Sequence, residues 1–249
     1  MSIQSEIERI SGNVANAYTA ASEMGATMPD DQNSDNLEST IRSIQAGEAM
    51  SIETIREICG WQMNGLPVGY TLLEYIESSG AQYINTGYVP NSNTRIVIDV
   101  QLTNISSDGT LFGARTAAYS NSVVMIITSA GRMLSDYGTE RLYFTTYPST
   151  SRVQIDYNKN ATSALGETLT FTAQTFKAPS TLYLLARNNN GTTQGIAVAA
   201  KLYSCQIYDN GNLVRDFVPC VNANGVYGLY DKVNSKFYSN AGSGSFTGA

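Results

Sequence analysis

An alternating apolar strand that runs into Asn-Gly and returns as another alternating strand leaves a chain few folding options, and the last fifty residues have this form. The segment Tyr208-Asp209-Asn210-Gly211-Asn212 is followed by Leu213-Val214-Arg215-Asp216-Phe217-Val218-Pro219. Gly228-Leu229-Tyr230-Asp231 and Lys236-Phe237-Tyr238-Ser239-Asn240 close the chain. Both central residues of a type I′ turn need positive φ, which glycine adopts freely and asparagine tolerates. Two successive hairpins finishing a β-sandwich are therefore expected. If Asp209 faces Asn212, counting outward sets Cys205 opposite Asp216 and Cys220 opposite Lys201. Four residues of offset at about 3.4 Å each is too far for a disulfide. With Cys59, the three cysteines show no metal-ligand spacing and read as reduced thiols.

The 249 residues are unevenly distributed. Up to about residue 66 the chain is rich in Ile, Ala, Glu and Ser; beyond Gly69 it is rich in Tyr, Thr, Ser, Asn, Gly and Val, which is β composition. A helical segment over 1–66 and a β domain over 67–249 follow. Within the first, Ile3, Ile7, Ile10, Val14, Ala17 and Ala21 alternate spacings of four and three, one narrow apolar seam on a helix. Self-association as a trimer or higher oligomer is one reading of the seam, and packing on the following short helices is the other. Ser34 is expected to cap a second helix carrying Leu37, Ile41 and Ile44. Ser51 is expected to cap a third, which stops at Gly60. Gly65-Leu66-Pro67-Val68-Gly69 ends helical periodicity.

From Tyr70 onward strand signals crowd together. Thr71 to Glu77, a turn at Ser78-Ser79-Gly80 and Gln82 to Thr86 read as a hairpin. Thr94 to Leu102 alternates Ile96, Ile98 and Val100 with Arg95, Val97, Asp99 and Gln101. Further strands are expected over 109–114, 122–128, 141–145, 152–157, 168–176, 181–186 and 195–207. Many strands without intervening helix signals mean an antiparallel two-sheet sandwich or barrel.

Two absences narrow the chemistry. There is no histidine, which excludes Ser-His-Asp and Cys-His catalysis and His-ligated metal. With a net charge of −6 and no basic cluster, nucleic acid is not an expected partner. No apolar stretch is long enough to cross a bilayer, and Met-Ser-Ile-Gln-Ser-Glu is unlike a secretion signal, so the protein is expected to be made in the cytoplasm. Only 14% of residues are charged, against about 25% in ordinary soluble domains. Such a polar but weakly charged surface suits contact with carbohydrate or protein.

The opening Leu73-Glu74-Tyr75-Ile76-Glu77-Ser78-Ser79-Gly80-Ala81-Gln82-Tyr83-Ile84-Asn85-Thr86-Gly87, then Leu111-Phe112-Gly113-Ala114-Arg115, then Lys201 to Gly211 and on to Tyr238 resemble concanavalin A-like (laminin G-like) jelly-roll modules at the ends of phage surface proteins. The start, Met1 to Ile10 with Ala17-Tyr18-Thr19-Ala20 and Gln32 to Leu37, is similar to N-terminal segments of phage structural proteins. Together the resemblances imply a virion component, tail- or head-fibre type, made in the host cytoplasm and released by lysis. Its implied partners are other virion proteins, further copies of itself and a host cell-surface glycan.

Glucanases on this fold need two carboxylates on one strand at even separation, about 5.5 Å apart. Glu74 and Glu77 are oddly spaced, Asp99 stands alone, and Asp209 and Asp231 lie at turns, so an enzyme is not expected. Without an Asp-x-Asp-x-Asp run, no metal or cofactor is expected; Asp99, Asp108 and Asp136 read as solvated turn or strand-end residues, with a loop-assembled calcium site as the alternative. Sugar binding needs aromatic faces and planar polar groups. Tyr119, Asn121, Tyr137, Arg141, Tyr143, Asn188, Asn189 and Asn190, in or beside expected loops, are the candidate contacts, with Tyr147 close by. The expected function is thus a non-enzymatic adhesin. A ligand-free decoration or fibre protein and a glycan hydrolase are the alternatives.

Overall fold

Helix α1 (Ile3–Glu23) and helix α2 (Ser34–Arg42) form where the apolar seam and the second set of apolar spacings occur. The computed structural model describes residues 3–44, 65–105, 108–194 and 198–249, and the chain divides into two compact units, Met1–Val68 and Gly69–Ala249. Helix α1 ends in a Schellman motif. Gly25 takes φ +79°, Ala26 N–H donates to Ala21 O at 3.0 Å, and Gly25 N–H donates to Ser22 O at 3.0 Å. The cap of α2 is Asn33, not Ser34: its Oδ1 accepts from the backbone N–H groups of Asp35 and Asn36. Asn33 is extended while Ser34 already has helical geometry, so the side chain one residue earlier is the one that reaches the free N–H groups. Tyr18 is buried and donates its hydroxyl to Asn33 O at 2.7 Å, tying the two helices. The seam therefore divides. Ala21 is buried and Val14 and Ala17 half-buried, while Ile3, Ile7 and Ile10 stay 82%, 51% and 50% exposed. The expected third helix, with Cys59 and Trp61, lies outside the described residues.

The second unit is built from strands β1 (Tyr70–Leu72), β2 (Ile76–Ser79), β3 (Ile84–Asn85), β4 (Thr94–Leu102), β5 (Gly109–Arg115), β6 (Ser122–Ile127), β7 (Met133–Gly138), β8 (Glu140–Tyr143), β9 (Arg152–Asn158) and β10 (Ala161–Ala164). It continues through β11 (Glu167–Thr170), β12 (Tyr183–Leu184), β13 (Arg187–Asn189), β14 (Thr192–Gln194), β15 (Ala199–Asp209), β16 (Asn212–Asn222), β17 (Tyr227–Asp231), β18 (Lys236–Ser239) and β19 (Thr247–Gly248). The larger sheet runs β11-β10-β9-β4-β15-β16-β17-β18, with β1, β2 and β19 attached. The smaller runs β14-β13-β5-β6-β7-β8, with β12 and β3 attached. Pairing is antiparallel except between β13 and β5. This is the mainly β, two-sheet jelly-roll class expected, preceded by a small helical segment.

Strand β4 coincides with its expected limits and buries every second residue, Ile96, Ile98 and Val100 among them. Those side chains meet Phe112, Ala114, Val123, Met125 and Tyr137 of the smaller sheet in one core. A hydrogen bond crosses between the sheets, Ser135 Oγ to Thr162 Oγ1 at 2.8 Å, so both buried hydroxyls are satisfied. Asp209 faces Asn212 across the Asn210-Gly211 turn, whose φ values are +50° and +83°. A bulge between Ile207 and Tyr208 then shifts the register, setting Cys205 opposite Phe217 rather than Asp216. Cys205 and Cys220 are nonetheless free and buried, and burial pushes both thiols up, Cys220 to about 12.

The expected hairpin over 71–86 does not form: β2 pairs with β15 and β19, whereas β3 pairs with β12 in the other sheet. Gln82 explains the crossing. Its buried Oε1 accepts Ser79 N–H at 2.8 Å and lies 3.2 Å from the hydroxyls of Ser78 and Ser79, taking a bond that a partner strand would have made. The strand expected over 168–176 shortens to β11, and the one expected over 181–186 to β12. Strands β7, β10, β13 and β14 escape the apolar pattern because they carry Ser, Thr, Asp, Asn and Arg.

Gly228 in β17 marks the tightest approach in the C-terminal hairpin: an added Cβ would sit 2.3 Å from Tyr238 O and 2.7 Å from Phe237 Cζ. Gly228→Ala is expected to lower stability by about 1–3 kcal/mol, read as a fall in the urea unfolding midpoint with unchanged m. An unchanged midpoint would show that the β17–β18 pairing is not as close as described.

Candidate functional site

On each strand of the smaller sheet one residue enters the core and the next faces outward. Ala114, Val123 and Tyr137 enter the core. Their neighbours Gly113, Val124 and Asp136 stand in one cross-strand row, Gly113 opposite Val124, Val124 opposite Asp136, and Asp136 opposite Arg141. The missing side chain at Gly113 lets Arg187 lie across the sheet, since a Cβ there would come within 3.0 Å of Arg187 Cγ. Arg115, two residues on from Gly113, faces the same way and pairs with Asn189 of β13.

Three guanidinium groups thus surround one carboxylate. Asp136 is fully buried and accepts a two-pronged contact from Arg141, Nε to Oδ1 at 2.6 Å and Nη2 to Oδ2 at 2.7 Å. Arg115 Nη1 lies 3.9 Å from Asp136 Oδ2, and its Nε donates to Asn189 Oδ1 at 2.8 Å. Arg187 Nε is buried without a hydrogen-bond partner among the described residues. The bond from Asp136 holds Arg141 well above the usual guanidinium range. Burial lowers Arg115, and burial followed by the charge of Arg115 pushes Arg187 down to about 10. All three remain cationic at neutral pH.

Tyr119 covers one end of this row. It sits in the β5–β6 loop at φ +59° and places its ring 4.6 Å from the Arg141 guanidinium carbon, with Arg141 Nη1 donating to its hydroxyl at 3.3 Å. Asn121, at φ +48°, donates to Thr116 Oγ1 and shapes the loop. Tyr143, two residues after Arg141, is stacked with Arg132 at 4.6 Å. The expected contacts therefore separate. Tyr119, Arg141, Tyr143 and Asn189 share the outer sheet region, and Asn121 supports it.

Tyr137 does not belong to a loop. As the residue after Asp136 it points inward, donates to Ser92 O at 2.9 Å and packs against Phe171 and Phe176. Asn188 is buried and holds its own hairpin, donating to Thr181 O and accepting from Gly191 N–H, both at 2.9 Å. Asn190 and Gly191 form the turn between β13 and β14, with φ values of +53° and +87°. Tyr147 is 60% exposed beyond β8. Arg115, Asp136 and Arg187 were not among the expected contacts. A two-residue turn at Gly138-Thr139 would have revealed the Asp136–Arg141 pair, because it places residues 136 and 141 opposite each other.

The strands of this sheet carry two carboxylates, Asp136 and Glu140. Glu140 pairs with inward-facing Tyr137 and accepts from Thr172 N–H, so the two do not face one substrate. Elsewhere Asp99 is paired with Arg152 at 2.7 Å, Asp108 accepts from Ser129 N–H, and buried Asp231 accepts from the backbone N–H groups of Asp216 and Val233. Among the described residues no three His, Cys, Asp or Glu side chains converge as metal ligands would, and no helix is long and apolar enough to cross a membrane.

No protein-family model and no curated protein matches the chain. Solved structures are similar in fold. The carbohydrate-binding module (CBM40) of the Ruminococcus gnavus IT-sialidase, described bound to α2,3-sialyllactose, matches at 16% identity and a TM-score of 0.42, over 56% of this chain and 90% of that one. Domains LG4-5 of the mouse laminin α1 chain match at 14% identity and 0.42, over 60% and 45%. A heptameric pentraxin of Limulus polyphemus matches at 9% identity and 0.36, over 58% and 76%.

Removing the buried carboxylate strands the guanidinium groups. Asp136→Asn is expected to cost about 3–5 kcal/mol, seen in denaturant unfolding, whereas Asp136→Leu combined with Arg141→Met should recover only part of that loss, because Arg115 stays buried without its carboxylate. If Asp136→Asn alone were neutral, the pair would not be buried as described.

Proposed function

We propose that this chain is a non-enzymatic component of a bacteriophage virion, in which the helical segment attaches or multimerises the protein and the β-sandwich offers a glycan-binding face to the host surface. The observation that carries the binding half is the outer face of the smaller sheet. Tyr119 supplies an aromatic surface, and Arg115, Asn189 and Arg141 supply planar polar groups on strands held rigid by the core. The groups lie along the sheet face rather than in one loop cluster, which suits a shallow groove that follows an oligosaccharide.

The assembly half is supported by Ile3, Ile7 and Ile10, which stay exposed at heptad spacing beyond the part of α1 that packs on α2. The virion setting rests on the sequence resemblance of both ends of the chain. A ligand-free decoration protein is the second reading. It is favoured by the many tyrosines engaged in packing, among them Tyr137, Tyr157 and the stacked pair Tyr83–Tyr183.

Light scattering on the full chain should give a trimer or larger, and Ile7→Asp with Ile10→Asp should reduce it to a monomer. A monomeric wild type would overturn self-assembly. The multimer should be retained on host cells or their cell-wall polysaccharide at least tenfold more strongly than the monomeric variant, through effective concentration. No retention of the multimer would leave the decoration reading in place.

A further inference from the structure

The outer surface of the larger sheet is also rich in charge, but there the charges are matched. Arg95 forks onto Asp156 at 2.9 and 2.7 Å, and Arg152 onto Asp99 at 2.8 and 2.7 Å. Lys201 lies over Tyr75 opposite Glu77. On the smaller sheet Asp136 is the carboxylate that faces Arg115, Arg141 and Arg187, and Arg141 already takes both of its oxygens. A chain with net charge −6 thus concentrates two surplus positive charges on one sheet face. This is a local arrangement, not a general basic character.

Arg187 feels Asp136 only at a distance and is the member with no ion pair or hydrogen bond to a carboxylate among the described residues. Its aliphatic stem is laid over Gly113, beside Val124, and its Nε is buried and unpaired. Nε is sealed from solvent, but the side chain as a whole is only half-buried, so an anion would meet the guanidinium at its Nη groups and offset a positive charge that burial leaves poorly solvated. The two Nη groups of a guanidinium match a carboxylate in plane and spacing end-on, as the Nε and Nη2 groups of Arg141 match Asp136 side-on in the same row. Arg115 adds positive potential beneath, and the exposed ring of Tyr119 offers a surface for the apolar face of a sugar.

We infer that this face selects a sugar bearing a carboxylate, with Arg187 receiving the carboxylate, Arg115 adding to the field and Tyr119 stacking on the ring. The inference rests on the glycan-binding reading and names the ligand class for it. Arg187→Met is the informative variant, because it keeps a long unbranched stem over Gly113 and removes an unsatisfied charge. Its melting temperature should equal or exceed that of wild type.

The test is calorimetric titration of the full chain with two acidic probes, trigalacturonate and a sialylated trisaccharide, each beside its own methyl ester. Wild type should prefer at least one acid over its ester by about 10- to 100-fold, and Arg187→Met should lose that preference while keeping its affinity for the esters. The arm that shows the preference tells a uronic acid from a sialic acid. Equal binding of acid and ester by wild type overturns the carboxylate inference and leaves glycan binding standing. So does a preference that survives Arg187→Met. Failure of all four probes, and of neutral host polysaccharide, overturns glycan binding together with it.

Discussion

Alternation is the constraint on which the second unit rests. A strand with one face against a core must place successive side chains on opposite sides, and a slip of one residue would exchange the two sets. Here the same segments build both the interior and the proposed binding face. Ala114 and Tyr137 enter the core while Gly113, Arg115 and Asp136 face out. The row from Gly113 through Val124 and Asp136 to Arg141 therefore inherits its register from packing on its reverse side. On that frame the Asp136–Arg141 pair, the Arg115–Asn189 bond and the Arg141–Tyr119 contact fix the outer side chains.

That pair does structural and electrostatic work at once. Burying a lone carboxylate is costly, and burying it with a two-pronged guanidinium offsets much of the cost. The charge of Asp136 also acts on Arg115 and Arg187, but one carboxylate faces three guanidinium groups, so positive charge is left in excess. The two sheets differ in this respect although both are charged. On the larger one each guanidinium meets its own carboxylate, and the resulting ladder, Arg152 stacked 3.8 Å from Tyr203 included, is self-contained.

Much of the fold was legible because period-two patterns and turn chemistry are local. Thr94 to Leu102 and the Asn210-Gly211 turn were readable to the residue. What could not be read depended on side chains that satisfy distant groups. Gln82 redirects a strand between sheets, a bulge at Ile207 moves Cys205 by one partner, and Asn33 displaces Ser34 as a cap. The site was partly legible, since Tyr119, Arg141 and Asn189 were identifiable as loop-proximal polar and aromatic groups. Arg187 was not, because its position depends on the parallel pairing of β13 with β5, which no local pattern announces. Tyr137 was misplaced because the strand containing it has polar Ser135 and Asp136 where an apolar pattern would have marked it.

Gly113 separates two selective pressures. Any side chain there would push on Arg187 and Val124, both on the outer side, while the inward neighbours Phe112 and Ala114 keep their core partners. A substitution at this position therefore rearranges the outer face of the smaller sheet, where Arg187 lies, while leaving the side chains on the core face where they are.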